Sequence, residues 1–211
     1  MSNPFIYGAG EEHKGSFFTN LFQAVIVALT INIIIYFLFL IPTQVDGPSM
    51  LPTLENKQLL FANKVPTWFY SNINLMKQFD LDYQRGDIVI FDYQDIVLVK
   101  RVIAVGGDEI YFDSGSVYVN GKKLDETYLP KGLKTQIPNR GLRYFEEGQM
   151  VVVPADNYFV MGDNRSNSKD SRFSDVRFVP RDKIKGEVVF RFWPVNQMGL
   201  ITRGVVNVAT N

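Results

Sequence analysis

A serine becomes a nucleophile only when a neighbouring base takes its proton, and this chain offers few bases. Its 211 residues include no cysteine and one histidine, His13. The lack of thiols removes cysteine nucleophiles, disulfides and sulfur metal sites together. His13 precedes a long apolar run, which would put it across a membrane from everything after Val45. A Ser-His-Asp arrangement is therefore disfavoured, leaving Lys, Asp and Glu. A lysine can serve if its ammonium loses a proton near neutral pH, and burial in an apolar lining brings this about by penalising the charged form. Lys100, in "IVLVKRVIAV" (Ile96 to Val105), has Val, Leu and Ile on both sides. A lysine snorkelling at a sheet edge would carry the same pattern. In a period-two strand Lys100 and Arg101 point to opposite faces, so one should line a buried side or cleft and the other the opposite surface.

The candidate nucleophile is Ser49, in "VDGPSMLPTL" (Val45 to Leu54), a turn flanked by prolines. A serine there could be a turn residue and nothing more. Its position gives it interest: Pro42 to Ser49 is seven residue steps, which caps its distance from the end of the apolar run at roughly 25 Å. A third stretch, "GDNRSNSKDSR" (Gly162 to Arg172), is dense in loop formers and in side chains that bond backbone and one another. It reads either as a solvated turn or as a loop in which Ser168 orients a neutral lysine. Asp170 and Arg172, two apart, could pair to hold it.

The element that would position the serine is the apolar run itself. No charged residue occurs from Gly15 to Val45, and "AVIVALTINIIIYFLFLI" supplies the roughly 20 apolar residues that cross a bilayer. A core helix would show a polar face, and a signal-peptide core is only about 7–15 residues long, so a retained span is expected over 20–41 after a tail at 1–19. Asn32 within it either bonds a neighbouring carbonyl or Thr30, or associates helices. Glu11, Glu12 and Lys14 before the run and Lys57 and Lys64 after it leave the orientation undecided by charge. Lys and Arg number 22 against 22 Asp and Glu, so no global field favours nucleic acid.

Beyond Pro42 the sequence turns to short β-branched and aromatic runs separated by Gly, Asn, Asp and Pro, the pattern of a mostly β domain over 42–211. Strands are predicted at "DIVIFDY" (Asp87 to Tyr93) and "DIVLVKRVIAV" (Asp95 to Val105), with further ones in "GQMVVVPADNYFVMGD" and "KGEVVFRFW". Asn120-Gly121 marks a type I′ hairpin. Residues 109–153, rich in Gly, Lys, Asn and Pro, read as an inserted smaller lobe. "VPTWFYSNINLMK" (Val65 to Lys77) reads equally as a loop folding its aromatics onto the core or as an aromatic lip at a membrane interface.

Taken in order, "GPSMLPTL", "RGDIVIF", "VKRVIAVGGD" and "GDNRSNSKDSR" resemble the bacterial type I signal peptidases, and the resemblance runs from the span to "FRFWP". It implies a signal-peptidase-type β fold with an inserted lobe behind one transmembrane helix. It implies Ser49 as nucleophile, Lys100 as general base, Ser168 as hydroxyl partner of that lysine and Asp170 with Arg172 as a supporting pair. The backbone N–H of Ser49 would serve the oxyanion. Some members carry a serine two residues before the nucleophile as a second oxyanion donor; here that residue is Gly47, as in a glycine-bearing branch. Gly106 stands where the family often has proline. The expected activity is removal of signal peptides from exported preproteins, with small side chains at the first and third positions before the cut. The catalytic domain is expected on the outer face of the plasma membrane. No cofactor or metal is expected, and the partners are signal peptides and the lipid bilayer, with no nucleic acid and a monomeric state. Two rival readings are a membrane-anchored β domain that binds without catalysis and a self-cleaving Ser-Lys protein of related fold.

Overall fold

The structure, a computed structural model, describes residues 13–67, 82–139, 141–204 and 206–208. The chain divides into two units at Phe39 and Leu40. The first is one helix, α1 (His13–Phe39). From Phe17 to Ile34 its side chains are exposed and, by length and composition, apolar enough to cross a bilayer; a helix apolar all round is one that becomes buried, in a protein core or a membrane. Two polar side chains in it bond the helix backbone: Asn32 Nδ2 donates to the Ala28 carbonyl at 2.8 Å and Thr30 Oγ1 to that of Ile26 at 2.8 Å. Asn32 thus takes the local option. The helix begins before residue 20 and stops before 41. Pro42 biases Ile41 to extended backbone, and Leu40 and Ile41 pair instead with Asn63 and Ala62.

The second unit is built on two sheets. The larger has eight strands. β1 (Leu40–Gln44), β2 (Leu59–Asn63), β11 (Ile184–Trp193), β3 (Ile88–Tyr93), β4 (Ile96–Val105), β9 (Asn157–Met161) and β10 (Val179–Pro180) lie side by side in that order, and β12 (Gly199–Leu200) pairs with β11. All its pairings are antiparallel. The smaller sheet runs β13 (Val206–Val208), β7 (Lys122–Glu126), β6 (Ser116–Val119), β5 (Glu109–Asp113), β8 (Val151–Val152). Asn120 and Gly121 both have positive φ, the backbone that the two-residue turn between β6 and β7 requires. Four of the five strands fall within 109–153, but the edge strand β13 arrives from the far end of the chain, which local sequence could not announce. Of the segment Val65 to Lys77, residues 68–77, with the aromatics Trp68, Phe69 and Tyr70, lie outside the described residues.

Two of the hydrophobic clusters position the chemistry. One sits under the turn that follows β1 and holds Val45, Met50, Leu54, Leu60, Ile88, Ile90 and Val99. The other joins the large sheet to the small one through Ile103, Phe159 and Met161 against Ile110, Phe112 and Phe145. β4 belongs to both, and Val99 to Ala104 are buried without alternation. Its partner β9 pairs only from Arg101 to Val105. On that side the stretch Ile96 to Lys100 has no described strand beside it.

Candidate active site

The turn bearing Ser49 is fixed from both ends. Val45 N–H donates to the Gln58 carbonyl and Lys57 N–H returns to that of Val45, each at 2.9 Å, closing a loop out of the sheet. Inside it Leu51 N–H bonds Pro48 O at 3.2 Å and Leu54 N–H bonds Met50 O at 2.9 Å. Met50 and Leu54 are buried in the cluster beneath, so the residue after the serine is an anchor. Gly47 has φ +88°, backbone that an L side chain rarely adopts, and its N–H donates to Asn56 Oδ1 at 3.0 Å. The Ser49 N–H donates to no described residue and remains available.

Lys100 Nζ lies 2.8 Å from Ser49 Oγ, and its second bond goes to the Val99 carbonyl at 2.8 Å. The side chain is 2% exposed. Burial brings its pKa down to about 8, against the smaller opposing pull of Asp170 and Asp163. A lysine in this setting spends part of its time neutral near physiological pH, which a snorkelling lysine does not.

The loop after β9 supports both residues. Asp170 takes Arg172 in a two-pronged pair, Nε to Oδ1 and Nη2 to Oδ2 each at 2.8 Å, and its Oδ2 also accepts the Gly162 N–H at 3.0 Å. The structure thus brings Asp170 and Arg172 together, both buried. Ser168 is also buried beside the site, but its hydroxyl has no hydrogen-bond partner, Lys100 included. Gly162 explains the closeness of these parts: a Cβ there would fall 2.2 Å from Ser168 Oγ and 2.5 Å from the Ser49 carbonyl oxygen. The glycine lets the loop back lie against the nucleophile.

Arg101 corrects the sequence expectation. It faces no open surface but is 1% exposed, gripping Asp163 with Nε to Oδ1 at 2.9 Å and Nη2 to Oδ2 at 2.7 Å. Period two sends neighbouring side chains to opposite faces, yet both faces of β4 are covered here. Nη1 donates to the Gly86 carbonyl at 2.8 Å, and the guanidinium lies 3.9 Å from the centre of the Tyr128 ring.

Three residues of the same loop were missed in the sequence. Asp163 neutralises Arg101. Asn164 holds the turn of Ser49 by its N–H to the Ser49 carbonyl at 3.0 Å and its side-chain amide to the Pro48 carbonyl at 3.2 Å. Arg165, buried, reaches into the small sheet to pair with Glu126 and donates to Thr135 Oγ1 at 2.6 Å. The one available signal was Arg101 itself, a cation in an apolar strand that needs a buried anion. Between Leu51, Pro52, Pro130, Leu133 and Asn164 lies a cleft of 220 Å³ beside the nucleophile turn.

Residues 18–193 match the family described as signal peptidase, peptidase S26. The chain belongs to this signal peptidase family. It is 35% identical over 176 residues to signal peptidase I S of Bacillus subtilis, covering 83% of this chain and 89% of that one. It is 37% identical over 187 residues to a probable signal peptidase I-2 of Synechocystis, covering 85% and 73%. A crystal structure of a signal peptidase I from Enterococcus faecalis aligns over 50% of this chain and 96% of its own, at 28% identity and a TM-score of 0.39. Membership of the signal peptidase family makes the chain a peptidase. Every residue from the nucleophile turn to the supporting loop lies inside the matched region.

Proposed function

We propose that this signal peptidase cleaves signal peptides from exported preproteins by a Ser-Lys dyad, with Ser49 as nucleophile and Lys100 as general base. The observation that carries the reading is the 2.8 Å contact between Ser49 Oγ and a buried Lys100 Nζ. Neutral Lys100 takes the Ser49 proton as Oγ attacks the scissile carbonyl. The developing oxyanion receives the unpaired Ser49 N–H. The lysine then returns the proton to the leaving amine, and an acyl-enzyme remains on Ser49. A water that gives its proton to the same lysine completes hydrolysis. Asp170 and Arg172 keep the loop rigid, and Ser168, whose buried hydroxyl is unbonded, orients the lysine as substrate enters.

The substrate would lie as a strand along the edge of β4 from Ile96 to Leu98, which has no described strand beside it and whose backbone groups on that side can take a partner. Small side chains at the first and third positions before the cut follow from the family resemblance. Helix α1 acts as the membrane anchor, and the catalytic unit stands on the extracytoplasmic side. Seven residue steps from Pro42 to Ser49 then hold the nucleophile within roughly 25 Å of the anchor's end, where a signal peptide's cleavage site emerges from lipid. The enzyme works as a monomer in this reading.

The test is incubation of the detergent-solubilised protein with a preprotein, native chain against Ser49→Ala, with a serine-reactive acylating probe in parallel. The reading expects cleavage and labelling only with Ser49 present. An unlabelled Ser49 without cleavage would leave a binding domain that does no chemistry.

A further inference from the structure

The match to the family ends at residue 193, yet the chain beyond it returns to the active site. We infer that Arg203 and Gly204 are positioning residues, closing a cage around Arg101 and thereby fixing Asp163 beside Lys100. The inference rests on Lys100 as the base.

Four walls enclose the Arg101 guanidinium. Asp163 takes it side-on through Nε and Nη2, the Tyr128 ring of the smaller lobe lies beneath it, and the Gly86 carbonyl accepts from Nη1. The fourth wall is the backbone of Gly204, where a Cβ would fall 2.5 Å from Arg101 Nη1 and 2.6 Å from Tyr128 Cδ1. Gly204 N–H bonds the same Gly86 carbonyl at 3.3 Å, and a Cβ on Gly86 would lie 2.1 Å from Gly204 O. Two glycines pressed together, each with no room for a side chain, mark a contact built for closeness.

The segment is tied down on both sides of that contact. Arg203 Nε donates to the buried carboxylate of Asp87 at 2.5 Å, and Nη1 to Gln84 Oε1 at 2.5 Å. Upstream β12 pairs with β11 of the large sheet; downstream β13 pairs with β7, whose Glu126 holds Arg165 of the catalytic loop. The C-terminal segment therefore straps the two sheets together across Arg101.

Its effect on the chemistry runs through charge. Among the described residues the carboxylates that act on Lys100 are Asp170 and Asp163, each neutralised by an arginine, Arg172 and Arg101. β3 presents Val89 opposite it and the nucleophile turn presents the Ser49 hydroxyl, neither charged. Loosening Arg101 leaves Asp163 less compensated, and an uncompensated carboxylate favours the ammonium form of Lys100. The base then becomes available only at higher pH.

The test is single-turnover acylation by the full-length protein in detergent, from neutral to alkaline pH, for the native chain, Gly204→Ala and Arg203→Gln. Both variants are expected to lose kcat by on the order of tenfold, since an ångström of misplacement costs up to about a hundredfold, with KM unchanged. The midpoint of the pH profile should move to higher pH in both, which simple loss of stability would not cause. A midpoint that stays at the native value in both, or a loss confined to KM, overturns the inference. Should Gly204→Ala fail to fold, Arg203→Gln alone decides. Failure of Lys100 as base reads differently, as cleavage retained by Lys100→Arg in the native background.

Discussion

Asn164 grips the nucleophile from behind: its backbone N–H holds the Ser49 carbonyl at 3.0 Å while its side-chain amide holds the Pro48 carbonyl at 3.2 Å. The peptide units on either side of the Ser49 Cα, the first of which contains the Ser49 nitrogen, are thus oriented by one residue of a loop more than a hundred positions away in sequence. That nitrogen is the proposed oxyanion donor, so the clamp aims it.

Asn164→Ala keeps the N–H and deletes the amide. The two lost bonds, to the Pro48 carbonyl and from Ser166 Oγ, are exposed to solvent, so the ground-state cost of each is at the low end of about 0.5–1.5 kcal/mol. Misaiming of the Ser49 N–H adds to this in the transition state. The expected result is a fall in kcat of roughly tenfold with little change in KM or melting temperature, read by single-turnover acylation. A fall in stability with unchanged kcat would make Asn164 a structural clamp alone.

The pH dependence follows from Lys100, whose pKa burial brings down to about 8. At one unit below that value about one lysine in ten is neutral. The acylation rate should therefore rise with pH and level off above about 8, and Lys100→Arg should be inactive throughout because a guanidinium keeps its proton. A rate independent of pH across that window would remove Lys100 as base. Linkage gives a second reading. The unfolded lysine titrates near 10.4, so between about 8 and 10.4 the unfolded chain binds the extra proton and stability rises with pH. Below that window the full cost of charging a buried lysine is present, and Lys100→Met should raise the melting temperature at neutral pH.

How much of this was legible depends on where each signal is stored. Lys100 announced itself because apolar flanks are local, and Asp170 with Arg172 because the partners are two residues apart. The Asn120-Gly121 turn was legible because two successive positive φ angles admit few residue pairs. Arg101 was misplaced because burial on both faces of β4 erases the alternation from which a surface is inferred. Its partner Asp163 is 62 residues away, and no local pattern records such a pairing. The same holds for Glu126 with Arg165 and for β13, whose place beside β7 depends on the path of the whole chain.

Ser168 carries a buried hydroxyl with no hydrogen-bond partner, so its removal should not lower stability; an unsatisfied buried polar group costs free energy that alanine does not. If the hydroxyl orients Lys100 once substrate is bound, Ser168→Ala loses several-fold in kcat, about 0.5–1.5 kcal/mol for one neutral hydrogen bond. Melting and single-turnover rates measured on the same preparation separate these. An activity loss as deep as that of Ser49→Ala with an unchanged fold would give Ser168 a larger part than orientation. No loss at all would leave it a packing residue.

Gly47 sits where a second oxyanion donor would be sought, and its geometry makes a clean comparison possible. Its φ of +88° penalises any side chain by about 1–2 kcal/mol. A Cβ there would meet no atom within 4 Å, so alanine and serine suffer the same backbone strain and no clash. The difference between Gly47→Ser and Gly47→Ala therefore isolates the hydroxyl. Both should acylate more slowly than the native chain, because strain in this turn displaces Ser49. Serine should lose less than alanine, since a well-aimed donor is worth up to about 3–4 kcal/mol in the transition state. Single-turnover acylation of the two variants side by side measures it. Equal rates would mean that the native enzyme already draws its second donor from elsewhere, and that the space beside Gly47 plays no part in binding the oxyanion.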